Sequence, residues 1–189
     1  MRVLVLATLC ILSNGGGNCA NAGSLPEPEE YLKHAFSRKA FLVSGLGVGI
    51  GQVANTPREW GQGPDGAAKR FGAVFGKHLV KSSVELTVAG LRDEDVKYEP
   101  SGGTGFGPRM KHALVRTVVV RRTSDGSQTM ATGRVAGSFT SGFVSLLWLP
   151  PRLHTVSNGM ASAGVSLGVD ALTNVFREFW PDIRRGLGR

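Results

Sequence analysis

Small residues recur four apart along most of the chain: Gly45/Gly49, Gly47/Gly51, Gly72/Gly76, Gly133/Gly137/Ser141 and Gly164/Gly168. A glycine inside a helix costs about 0.8–1 kcal/mol relative to alanine. Repeating that cost on one helix face makes sense when a neighbouring backbone must come close. With 27 glycines in 189 residues, some of these spacings arise from composition alone. The helix-packing positions expected are Gly72, Gly76, Gly133, Gly137, Gly164 and Gly168. This pattern, with the 3/4 spacing of apolar residues around it, predicts an all-α, Gly-rich multi-helix bundle.

Residues 23–30 read as a mobile lead-in, residues 31–185 as one helical domain, and residues 186–189 as a basic tail. A helical pattern begins at Glu29 and runs through Phe41-Leu42-Val43 into the glycine series, ending at Asn55-Thr56-Pro57. A second helix opens at Pro64-Asp65, because Pro is tolerated in a first turn and Asp favours it. Phe71, Val74, Phe75, His78 and Leu79 are expected on its core face, with Arg70, Lys77 and Lys81 on another. Residues 92–108 form a long polar loop. Residues 115–131 are ambiguous: Pro108 could open a helix, Thr117 to Val120 favours strand, and Asp125-Gly126 suits a short hairpin. Two further helices are expected over 129–149 and 154–180. In the last, Val165, Val169, Leu172, Phe176 and Phe179 are predicted to be the apolar face. Ser166, Asp170, Thr173 and Arg177 form the polar stripe beside it. Trp180-Pro181 is expected to end this helix, with Asp182 capping a short turn over Ile183 to Arg185.

The N-terminus carries an address. Met1-Arg2 is basic, Val3 to Leu12 is apolar apart from Thr8, and Ala20-Asn21-Ala22 matches a small-residue cleavage site. Together they predict a signal peptide over residues 1–22, cut between Ala22 and Gly23. Cys10 and Cys19 both lie in that leader, so the exported chain is expected to hold no disulfide, zinc-thiolate site or thiol nucleophile.

Residues 40–57, 135–151 and 153–169 contain no Asp, Glu, Lys or Arg, and each approaches the length needed to cross a bilayer. Their Gly, Ser, Asn, Gln and His content makes insertion marginal, and a buried helix accounts for them equally well. Leu46, Val48 and Ile50 alternate with Gly, which keeps a small outer-membrane β-barrel as an alternative.

The catalytic motifs fail on context. Gly49-Ile50-Gly51-Gln52-Val53-Ala54 resembles a dinucleotide turn, but Pro57 leaves no room for the helix it needs. Gly164-Val165-Ser166-Leu167-Gly168 has nucleophile-elbow spacing inside a helical pattern, with no later His. His34, His78, His112 and His154 lack metal-ligand spacing. Asp93-Glu94-Asp95 lacks the rest of a calcium loop and reads as a solvated acidic turn. No catalytic, cofactor-binding or metal site is therefore expected. The enzyme alternative is a periplasmic hydrolase using His78, Glu85 or Asp170.

The formal net charge is +8. Arg109, Lys111, Arg116, Arg121, Arg122 and Arg134 form the densest basic stretch, a candidate binding surface for anionic lipid or an envelope polymer. A solvated face is the plainer reading. Nucleic acid is not an expected partner for an exported chain without interleaved aromatics.

Three stretches carry a resemblance: Glu59-Trp60-Gly61, the loop from Leu91-Arg92-Asp93-Glu94-Asp95 to Tyr98-Glu99-Pro100-Ser101-Gly102, and Phe176-Arg177-Glu178-Phe179-Trp180-Pro181-Asp182-Ile183. The chain resembles an uncharacterised family of exported bacterial proteins, mainly acidobacterial, over roughly residues 40–185. It departs from the pattern at Val96, where Pro is expected. The resemblance implies export and a shared fold, and supplies no catalytic residue. The function expected from all these features is a membrane-proximal structural or interaction protein of the cell envelope.

Overall fold

The computed structural model describes residues 28–186. The signal peptide expected over residues 1–22, and the cleavage position expected between Ala22 and Gly23, lie outside them. Among the described residues there are six α-helices: α1 (Pro28–Ala35), α2 (Arg38–Val53), α3 (Pro64–Leu91), α4 (Phe106–Val118), α5 (Thr132–Val144) and α6 (Val156–Gly186). A two-stranded hairpin, β1 (Val119–Arg121) with β2 (Gln128–Met130), joins α4 to α5. The protein is an all-α bundle carrying one short β-hairpin.

Local chemistry sets the boundaries. The Ser37 side chain accepts the Ala40 N–H and caps α2. Pro64 opens α3 and Asp65 sits in its first turn, paired with Lys69 at 2.8 Å. In the hairpin, Gly126 takes a φ of +71°, and the Ser127 N–H donates to Asp125 Oδ1 at 2.9 Å. Of the strand-favouring run Thr117 to Val120, Thr117 and Val118 close α4, and Val119 and Val120 pair with β2.

Helix α3 is the axis of the bundle. It packs against α1, α2 and α5, while α6 closes over α5 and α4. The α3–α5 contact is the tightest. A Cβ on Gly133 would lie 2.6 Å from the Glu85 carbonyl oxygen, and one on Gly137 would lie 2.8 Å from that of Lys81. The α5–α6 contact uses Gly142, whose Cβ would lie 2.7 Å from the Gly159 carbonyl oxygen. Only the absence of a side chain permits these approaches.

The interior differs from the one predicted. Among the described residues, the buried apolar side chains are alanines plus Leu86 and Val120. Buried with them are Ser44, Ser82, Ser138, Ser141, Asn174, Glu85, Arg70, Arg134 and Glu178. On α3 the inward row is Gly66, Arg70, Ser82, Glu85, Leu86 and Ala89, while Phe71 stands at the exposed edge. On α6 the inward row is Gly159, Ala163, Ser166, Asn174 and Glu178. The predicted apolar face is only partly inside there: Val165, Leu172 and Phe176 are exposed, while Val169 and Phe179 are half-buried. Close backbone approach selects the small-residue face, and small residues on these helices share that face with polar ones.

Two boundaries also differ. Helix α6 runs through Pro181 to Gly186, so Asp182 is a helical residue. Arg109 explains the continuity, because its guanidinium holds Glu178 and Asp182 one turn apart, on either side of Pro181. Helix α5 ends at Val144, and two 3-10 turns, Ser145–Trp148 and Pro151–Leu153, fill the interval to α6.

Candidate interaction surface

The outward face of α2 carries a row of exposed apolar side chains. Leu42, Leu46, Ile50 and Val53 lie at 4/4/3 spacing and therefore on one stripe. Their exposures are 69%, 68%, 70% and 89%. Gly45 and Gly49 sit beside them, and a Cβ on either would meet nothing within 4 Å. The result is a shallow apolar trough, floored by glycine and walled by Phe41, Leu42, Leu46, Ile50 and Val53. The opposite face of α2 is fixed to the bundle. Ser44 is buried, and a Cβ on Gly47 would lie 3.4 Å from Val74.

Aromatic packing anchors this helix. Phe75 of α3 stacks on Phe41 at 5.3 Å and meets Phe36 at 5.7 Å and Phe71 at 5.8 Å. Such pairs contribute about 0.5–1.5 kcal/mol beyond area burial. The stripe is thus presented by a braced element. No helix of the described residues is long and apolar enough to cross a membrane.

The predicted basic surface is dispersed by the fold. Arg134 is buried between helices, with Nε 3.4 Å from Glu85 Oε1 and Nη1 donating to the Arg116 and Thr117 carbonyls. Arg109 is bound to Glu178 and Asp182 and lies 4.5 Å over the Phe179 ring. Arg116 and Arg121 both face Glu99, at 4.0 and 3.7 Å. Lys111 and Arg122 are exposed.

Of the predicted packing glycines, Gly133 and Gly137 lie against α3 backbone, and Gly76 faces Trp148 at 3.9 Å. At Gly72, Gly164 and Gly168 a Cβ would meet nothing within 4 Å. Gly66, Gly142 and Gly159 occupy tight contacts instead. Their neighbours at the four-residue spacing are Arg70, Ser138 and Ala163, so a glycine-pair search passes over them.

The acidic turn has a structural use. Glu94 is buried and accepts the N–H groups of Thr132 at 3.1 Å and Gly133 at 2.9 Å. It thereby caps α5, whose own first residues supply no side-chain cap. A carboxylate at a helix N-terminus satisfies orphan donors and complements the helix dipole.

The two longest stretches of the resemblance meet at one carboxylate. Glu178 accepts the Tyr98 hydroxyl at 2.5 Å, the Ser101 N–H at 3.0 Å, the Ser101 hydroxyl, and Arg109 Nε at 3.2 Å. Burial alone would raise its pKa, but the hydrogen bonds from Ser101, Tyr98 and Arg109 outweigh that and hold it at about 2. The Tyr98 phenol is pushed up by burial and by the same carboxylate. Every polar atom of this clasp is engaged by protein, so it ties loop 92–105 to α6. The third stretch serves similarly: Glu59 pairs with Arg152 at 2.8 Å, and the Gly61 carbonyl accepts from Arg70.

The residues of the hydrolase alternative are each tied into the bundle. Glu85 is held by Arg134, Asp170 by Lys81, and His78 Nε2 lies 3.5 Å from the Ser82 hydroxyl. His112 and His154 meet the Glu99 and Leu149 carbonyls. No three His, Cys, Asp or Glu of the described residues form a metal-holding group.

No family model, curated protein or solved structure matches the chain.

Proposed function

We propose that this protein is an exported interaction protein of the cell envelope, seated against a membrane surface through the outward face of α2. The observation that carries the reading is the reversed arrangement of its side chains. Ala, Gly, Ser and ion pairs are inside, while Leu42, Leu46, Ile50 and Val53 form an exposed stripe on a braced helix. Exposing such a stripe to water forgoes about 1.5–3 kcal/mol for each large apolar side chain. Burial in the interfacial region of a lipid bilayer recovers that energy. Helix α2, with 16 residues, spans about 24 Å at 1.5 Å per residue. It is short for a crossing and suited to lying in the interface.

The leader-like N-terminus supports export. Flotation of the purified protein with phosphatidylethanolamine/phosphatidylglycerol vesicles tests the proposal. Wild-type protein is expected to float at low and high salt, whereas Leu46→Glu/Ile50→Glu is expected to remain at the bottom. Wild-type protein that stays at the bottom as a monomer or a self-associated species would overturn it.

A further inference from the structure

A second site lies at the inner end of the α2–α3 contact. There a cleft of about 210 Å³ opens between Thr56, Trp60, Arg70, Lys77, Ser145 and Trp148. Two of these residues are cations withdrawn from water. Arg70 is 2% exposed, and Lys77 is half-buried.

Their partners are neutral. Arg70 donates from Nε to the Thr56 carbonyl at 2.8 Å, from Nη1 to the Gly61 carbonyl and to Gln52 Oε1, and from Nη2 to the Pro57 carbonyl at 2.9 Å. Lys77 donates to the carbonyl and the hydroxyl of Ser162, both at 2.7 Å. No described carboxylate lies within ion-pairing distance of either, although the next inward cations, Lys81 and Arg134, each have one. Desolvation, followed by the nearby Lys81 charge, lowers the Lys77 pKa to about 8.

An arginine has five N–H donors and a lysine three. Each side chain therefore retains one donor beyond the bonds given, and the Ser162 hydroxyl, accepting from Lys77, retains its proton. Sequestered positive charge without a counter-charge is costly, and a bound anion relieves that cost. The lining adds two indole rings, which suit an organic body beside the charged group.

We propose that this cleft binds a small phosphate monoester, its dianionic head drawn by Arg70, Lys77 and the Ser162 hydroxyl and its organic portion lying against Trp60 and Trp148. A dianion matches the two cations better than a carboxylate does, since a phosphate monoester carries about −1.5 to −2 at neutral pH. The phosphate has two sources, a lipid headgroup or a soluble ester, and the probes separate them.

Calorimetric titration of the purified protein with glycerol 3-phosphate and with dihexanoyl phosphatidic acid, without vesicles, is the test. At least one is expected to bind saturably, and Lys77→Gln is expected to weaken that binding by about tenfold or more. Tighter binding of the phosphatidic acid identifies a lipid head, and equal or weaker binding identifies a soluble ester. No saturable heat from either at about 10 mM, or an unchanged affinity in folded Lys77→Gln, overturns the proposal. If that variant does not fold, acetylation of the wild-type chain decides. The added ester must slow modification of Lys77 relative to exposed Lys69, and equal rates overturn the proposal. Failure here leaves the membrane reading of α2 intact, because no vesicle takes part.

Discussion

Arg134 of α5 reaches across the interior to Glu85 of α3, Nε to Oε1 at 3.4 Å, with both side chains only about one-tenth exposed. Removing one member of a buried pair leaves an uncompensated charge, which costs about 3–5 kcal/mol. Arg134→Met is therefore expected to lower stability by that amount in urea unfolding. The double variant Glu85→Leu/Arg134→Met is expected to regain most of the loss. A double variant as unstable as the single one would show that the Arg116 and Thr117 carbonyls, not Glu85, carry the effect.

The glycines divide into two groups with opposite expected signs. Gly133→Ala and Gly142→Ala place a Cβ 2.6 and 2.7 Å from backbone oxygens, and overpacking of this kind costs about 1–3 kcal/mol. Gly164→Ala and Gly168→Ala place it in open space, so each is expected to gain up to about 1 kcal/mol from helix propensity. Thermal unfolding of the four variants distinguishes the groups. A loss at Gly164 equal to that at Gly133 would contradict the packing described.

Glu178 makes stability depend on acid. Its folded pKa, about 2, lies below the ordinary value of 4.5. The unfolded chain therefore binds more protons between these values, and the contribution is complete above pH 4.5 and lost as pH falls toward 2. Asp182, held low by Arg109, acts in the same direction. The melting temperature is expected to be level from pH 6 to about 4.5 and to fall below it. Glu178→Gln should start lower and fall less steeply. An identical slope in the variant would remove Glu178 from the account.

Lys77 works in the opposite pH range. Its pKa falls from 10.5 to about 8 in the folded chain. The unfolded state therefore binds more protons between these values, and stability is expected to rise with pH across that window. Exposed groups that titrate there are screened, so Lys77→Met is expected to flatten the rise. An equal rise in Lys77→Met would assign it to other groups.

How far the chain announced this structure depends on which residues are considered. Pro64-Asp65, Asn55-Thr56-Pro57 and Asp125-Gly126 mark boundaries because capping, proline geometry and tight turns are local effects. The inside of the bundle is not a local property. On α6, Val165, Leu172 and Phe176 satisfy an apolar stripe as well as Gly159, Ala163 and Ser166 satisfy a small one. Hydropathy prefers the first, yet the second faces the core, because a backbone carbonyl at Gly159 meets Gly142. Lys77, Arg70 and Glu178 were equally hidden. A charge on a helix reads as solvated until its partners, here Ser162, the carbonyls around Thr56, and Ser101, are known to converge from far along the chain. Glu94 is the same case, since the helix it caps begins about forty residues later.

The central claim is that the α2 stripe meets lipid. Leu46→Cys, labelled with an environment-sensitive fluorophore in a chain whose Cys10 and Cys19 are replaced by serine, tests it most directly. On addition of phosphatidylethanolamine/phosphatidylglycerol vesicles the emission is expected to shift to the blue, and spin-labelled acyl chains in the same vesicles are expected to quench it. Emission that stays at its aqueous wavelength, unquenched at any lipid concentration, would contradict the account.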